Sequence, residues 1–78
     1  MKKSDYDNVF MEVFMLDAVD VEMTMSDVEE WDSVGHMMLI TTLEDKFNIM
    51  LDADDIVALD SYEKGIEILK KYDIELEE

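Results

Sequence analysis

Nearly half of this chain is apolar and almost every charge it carries is negative, so its apolar residues must gather into one small core against its own repulsion. Hydrophobic residues fill 49% of 78 positions, too many for a disordered acidic tail. Twenty-two aspartates and glutamates stand against six lysines and no arginine, a formal net charge of −16. A chain of this length makes one domain over residues 1–78, because two would each lack a core. So small an interior leaves little room for a deep substrate pocket and a catalytic constellation together.

The charge excludes some functions. It repels phosphate backbones and anionic lipid headgroups, which argues against nucleic-acid and membrane binding, and it attracts basic partner surfaces. With no cysteine there is neither a disulfide framework nor a protein thiolate. Lys2 and Lys3 precede Ser-Asp-Tyr-Asp rather than an apolar stretch, so no secretory leader is expected. No apolar run nears the roughly 20 residues that cross a bilayer. The expectation is a cytoplasmic monomer.

Without proline and with only two glycines, the breaks between elements must come from capping residues and charge. A first helix is expected over residues 4–16, capped by Ser4 or Asp5, with Val9, Val13 and Leu16 inward and Phe10 and Phe14 beside them. Residues 17–32 lack a sustained stripe. Their spaced Val19, Val21, Met23, Met25 and Val28 suggest a long ordered loop pinned to the core. A second helix over residues 33–48 takes Asp32 as its N-cap and turns Leu39, Ile40, Leu43 and Phe47 inward. A short helix over 53–59, capped by Asp52, precedes a last one over 61–72, capped by Ser61. There Tyr62, Ile66 and Leu69 face inward, and Gly65 on the same face permits close approach. The tail over 73–78 is expected to fray. The fold class read from this pattern is all-α: a small bundle of three main helices and one short one.

The stretch Trp31-Asp32-Ser33-Val34-Gly35-His36 opens the second helix. A serine hydroxyl on a first helical turn is exposed, and the positive helix end suits an attached phosphate. Asp32 and Ser33 are also ordinary capping residues, so the pattern alone leaves both readings open. Here the chain resembles a known family. Asp32-Ser33-Val34 is similar to the Asp-Ser-Leu signature of acyl and peptidyl carrier proteins, and the longer Trp-Asp-Ser-x-Gly-His form resembles a subset of stand-alone carriers. The likeness extends over nearly the whole chain, through the acidic loop, Leu43-Glu44-Asp45-Lys46-Phe47, the short third helix and the closing helix from Ser61.

The resemblance implies that a phosphopantetheinyl transferase attaches 4′-phosphopantetheine from coenzyme A to Ser33, with Asp32 as its signature neighbour. The cofactor's thiol would then hold an acyl or aminoacyl group as a thioester, shuttled between loading and acyl-transfer enzymes with basic docking surfaces. It also implies recognition through Val34, Met37, Met38, Thr41, Glu44 and Asp45, and an acyl cavity lined by Leu43, Leu51 and Leu59. Fatty-acid, polyketide and specialised lipid or polysaccharide modification pathways all use such carriers. Val34 replaces the usual leucine. Gly35 and Met38 stand where fatty-acid carriers have acidic residues, which thins the charge near Ser33. Read by propensity, Gly35 also weakens its helix by about 1 kcal/mol relative to alanine. Met37 and Met38 suit either adaptable partner contacts or core filling.

Other functions fit the residues less well. A hydrolase using Ser33 and His36 would need an oxyanion hole and a cleft that one helix does not supply, so the chain is not expected to be an enzyme. His36 is expected to pack beside Trp31 or cap locally. Asp52-Ala53-Asp54-Asp55 resembles a calcium loop, but Ile56 and Val57 occupy positions that need a ligand and a glycine, so no metal site is expected. An acidic interaction module that mimics nucleic acid is the alternative to the carrier. Because self-repulsion opposes folding, added salt or divalent cations should raise the melting temperature; a melting temperature indifferent to salt would contradict this.

Overall fold

The computed structural model describes residues 2–77; Met1 and Glu78 lie outside the described residues. It is an all-helical bundle of α1 (Lys3–Phe14), α2 (Ser33–Phe47), α3 (Ala53–Ala58) and α4 (Tyr62–Lys71), with one 3-10 turn at Met25–Asp27 in the long loop. Among the described residues no helix is long and apolar enough to cross a membrane.

The first helix buries Tyr6, Val9, Phe10 and Phe14, a stripe rotated from the expected one, with Val13 and Leu16 at its margin. Neither Ser4 nor Asp5 is its N-cap. Lys2 takes that position, and the Asp5 carboxylate reaches back to accept from the Lys2 N–H at 3.3 Å. The inward residues of α2 are those expected: Leu39, Ile40, Leu43 and Phe47 are all buried. On α4 the buried face is Tyr62, Gly65, Ile68 and Leu69, with Ile66 half-buried at its edge.

Three helices end in the same way. Met15, Asn48 and Asp73 adopt left-handed backbone, with φ of 54°, 54° and 63°. The next residue then folds back, so that the N–H groups of Leu16, Ile49 and Ile74 donate to the carbonyls of Met11, Glu44 and Leu69 at 3.0, 3.1 and 3.0 Å. Each of these closing residues is apolar and packs against the core, the hydrophobic contact that accompanies this type of helix end. This closure stops α1 at Phe14, two residues short of the expected end. It also leads into residues 73–77 of the tail, which lie along the start of α1. Ile74 and Leu76 are half-buried while Glu75 and Glu77 are exposed, and the Lys3 N–H donates to the Glu77 carbonyl at 2.6 Å. The tail is a strap across the start of α1.

The long loop is pinned as expected, with Met23, Val28 and Trp31 buried. Its backbone joins the α3–α4 junction: the Met25 N–H donates to the Asp60 carbonyl at 2.8 Å and the Tyr62 N–H to the Met23 carbonyl at 3.1 Å. Val21 is the exception and is exposed. It sits on a turn closed by the Met23 N–H on the Asp20 carbonyl at 3.0 Å.

Two close approaches set the packing of α4. The buried Tyr6 hydroxyl donates to the Tyr62 carbonyl at 2.6 Å, and burial, with Tyr62 and Asp7 adding, pushes its ionisation well above the ordinary tyrosine value. A Cβ on Gly65 would lie 2.0 Å from that hydroxyl oxygen, so only glycine fits. The six-residue α3 is too short to stand alone and is fastened to the end of α4. Lys71 Nζ donates to Asp55 Oδ1 at 2.6 Å, and Tyr72 Oη donates to Asp55 Oδ2 at 2.7 Å. Tyr72 Oη also accepts from the Asp52 N–H at 2.9 Å. Asp52 holds the N-cap position of α3, but its side chain makes no capping bond.

The hydrogen bonds from Lys71 and then Tyr72 hold the Asp55 carboxyl below the usual carboxylate range, and the bond to Asp55 raises the Lys71 ammonium above its own. A lowered carboxylate stabilises the fold above its unfolded value and loses that effect as pH falls through the folded one. The stability difference between wild type and Asp55→Asn should therefore be widest between the ordinary values of 3.8 and 10.5. It should narrow outside that window, as urea midpoints measured across pH would report.

Candidate functional site

The site is the start of α2. Trp31 is buried beneath the preceding turn, with its ring stacked on Phe14 at a centroid distance of 5.2 Å and edge-on to Phe10 at 5.6 Å. The next residue, Asp32, is extended and serves as the N-cap, with Oδ1 accepting from the Gly35 N–H at 2.8 Å. Its carbonyl accepts from the His36 N–H at 2.7 Å. Ser33 is the first residue of the helix and is exposed. Because Asp32 already caps, the Ser33 hydroxyl has no hydrogen-bond partner among the described residues. Ser61 behaves differently: it is itself the cap, and its Oγ accepts from the Lys64 N–H at 3.1 Å. Of the two capping candidates at this helix start, the aspartate caps and the serine is spare.

Gly35 lies inside this turn and is buried. A Cβ there would come within 2.1 Å of the Glu30 carbonyl oxygen. The glycine therefore lets the loop backbone press against the helix, a role that propensity alone does not reveal.

Beyond Ser33, α2 presents an apolar face that nothing among the described residues covers. Val34 is 72% exposed, Met37 51% and Met38 52%. These methionines are surface residues, not core filling. With Ser33, Thr41 and Thr42 they bound an open depression of about 550 Å³. Thr42, not singled out in the sequence, turns its hydroxyl back to donate to the Met38 carbonyl at 2.7 Å. The helical rise from Ser33 to Thr41 is about 12 Å along the axis.

The other residues singled out lie elsewhere. Asp45 is exposed. Glu44 is half-buried, and its Oε2 accepts from the Leu51 N–H at 2.9 Å, so it braces the turn after α2. Leu43, Leu51 and Leu59 are buried in the single core cluster and do not border the depression beside Ser33. Asp55 of the acidic run turns inward to Lys71 and Tyr72.

His36 is engaged at both ring nitrogens: Nδ1 accepts from the Trp31 indole N–H at 2.9 Å, and Nε2 lies 2.7 Å from the Ile56 carbonyl. It has no lone pair left to activate Ser33 as a nucleophile. The expected packing beside Trp31 is present, with the ring planes 16° apart. The Ile56 contact was not legible in the sequence, because a backbone carbonyl on another element carries no residue signal.

Comparison with protein-family models, with curated proteins and with solved structures gives no match to this chain.

Gly35→Ala should destabilise the protein by about 1–3 kcal/mol, as overpacking of a tight site does, despite the better helix propensity of alanine. Val34→Ala, on the exposed face, should stay within about 0.5 kcal/mol of wild type. Urea denaturation of the two variants checks both.

Proposed function

We propose that this protein is a carrier that tethers acyl or aminoacyl intermediates as thioesters on a 4′-phosphopantetheine arm attached to Ser33. The observation that carries the reading is the division of labour at the start of α2. Asp32 satisfies the helix end, leaving Ser33 exposed and uncommitted at the rim of an uncovered apolar face. A hydroxyl so placed is open to a modifying enzyme and need not break any bond of the fold to react.

The residues present fit the group. Ser33 Oγ would supply the ester oxygen of the phosphodiester as the pyrophosphate bond of coenzyme A breaks, with adenosine 3′,5′-bisphosphate leaving and the hydroxyl proton passing to a base of the transferase. Asp32 and Gly35 hold the turn that displays it. When attached, the group supplies the thiol that a chain without cysteine lacks, on a tether that raises the effective concentration of its cargo at each partner. Val34, Met37 and Met38 offer adaptable apolar contact beside the attachment point. No lysine stands between Lys3 and Lys46, so partners with basic docking surfaces are favoured there. With the thinner local acidity at Gly35 and Met38, the reading extends to dedicated pathways of lipid or polysaccharide modification as readily as to fatty-acid or polyketide assembly. In all of them this chain carries and its partners catalyse.

Intact-mass measurement after incubation with coenzyme A and a broad-specificity phosphopantetheinyl transferase tests the proposal. The expected result is one phosphopantetheine increment on wild type and none on Ser33→Ala. An unmodified wild type with several transferases, together with tight binding to a basic DNA-binding protein, would favour the acidic interaction module instead.

A further inference from the structure

We propose that Met37 and Met38 form an oxidation site, at which a peroxide switches the face beside Ser33 from apolar to polar. The consequence of the switch rests on the carrier reading: with the face polar, the phosphopantetheinyl transferase docks poorly and Ser33 stays unloaded.

The sulfur chemistry of this chain belongs to methionine. There are eight methionines and no cysteine, so only thioethers offer a peroxide a sulfur to attack, and exposure decides which of them react. Met23 is buried, and Met11 and Met25 are half-buried. Met15, Met37, Met38 and Met50 are exposed. In the reaction a thioether lone pair attacks one oxygen of hydrogen peroxide and the O–O bond breaks. The second oxygen leaves as water, taking both hydrogens. Sulfur gives up two electrons, the peroxide is reduced, and the new S–O bond puts a polar sulfoxide on a side chain that was apolar.

Position separates the four exposed methionines. Met15 closes α1 and Met50 stands between α2 and α3, and neither borders the depression beside Ser33. Met37 and Met38 both border it, with Val34. They lie about 6 and 7.5 Å past Ser33 along the helix axis, so an enzyme seated over Ser33 and this face meets both. Once they are oxidised, Val34 alone of the three keeps its apolar character. Neither methionine belongs to the core, so the fold survives the change.

The charge pattern says why those two side chains matter to the transferase. Glu29, Glu30 and Asp32 are exposed ahead of the face and Asp45 beyond it, which guides a basic enzyme toward Ser33. Between Asp32 and Glu44 there is no acidic residue and no lysine. Over that stretch adhesion falls to the apolar side chains, which is the contact that sulfoxides remove.

Hydrogen peroxide titrated onto the full chain tests the site, with peptide mass mapping to place each sulfoxide and the rate of Ser33 loading from coenzyme A as readout. The initial rate of wild type should fall roughly tenfold at an unchanged melting temperature, and recover after methionine sulfoxide reductases of both epimer specificities have acted. Met37→Leu/Met38→Leu keeps the apolar volume without a thioether. Its treated rate should equal its own untreated rate, whereas Met15→Leu/Met50→Leu should be as sensitive as wild type. Three results would each overturn the site: sulfoxides at Met37 and Met38 with an undiminished rate, equal sensitivity in the two double variants, or both thioethers intact when Met15 and Met50 are fully oxidised. Untreated wild type that no transferase loads would instead sink the carrier reading. Retention on a phenyl matrix at high salt, which strengthens apolar contact, then decides the switch. Peroxide should reduce retention more in Met15→Leu/Met50→Leu than in Met37→Leu/Met38→Leu, and equal losses would overturn it.

Discussion

The column of rings that runs from Tyr62 through Tyr6, Phe10 and Phe14 to Trp31 and His36 joins α4, α1, the long loop and α2 in one line of contacts. Successive centroids lie 5.1, 5.0, 5.9, 5.2 and 6.3 Å apart. Tilted, edge-on and offset aromatic pairs add about 0.5–1.5 kcal/mol each beyond the area they bury. In a domain this small, where one core must hold against a net charge of −16, such contacts bear much of the cohesion. The column also determines where the chain can be tight. Gly65 exists to admit the Tyr6 hydroxyl at one end, and Gly35 admits the Glu30 carbonyl near the other.

The third helix is not part of that column. It is tied at one side by a carboxylate paired with a lysine and a tyrosine, and at the other by a single histidine. Both ties are polar, unlike the aromatic contacts, and the Asp55 tie depends on protonation state.

Much of the architecture could be read from the order of apolar residues. The α2 stripe of Leu39, Ile40, Leu43 and Phe47, and the caps at Asp32 and Ser61, follow from helical spacing and from oxygen-bearing side chains at helix starts. The helix ends were harder, because left-handed closing residues are usually glycine, whereas this chain uses Met15, Asn48 and Asp73. The tail was hard to read for a different reason. Its acidic composition suggests fraying, but Ile74 and Leu76 alternate with glutamates and take the apolar half of the alternation to the core. At the candidate site, the sequence put forward Ser33 and its neighbours and left Met37 and Met38 undecided between surface and core. Glu44 shows the opposite difficulty: an acidic side chain that reads as a surface contact spends itself on the Leu51 amide.

By itself, the sequence determined that this is one all-helical domain with an acidic exterior and a capped serine-bearing helix start, because periodicity, charge and capping are local properties. Tertiary structure alone decided that the methionines beside Ser33 stay uncovered and that His36 reaches across to Ile56. Each of these depends on which backbone or side chain arrives from a distant part of the chain. A hydrogen bond to a carbonyl 20 residues away, or a glycine pressed by a loop, leaves no periodic trace in the residues that make it.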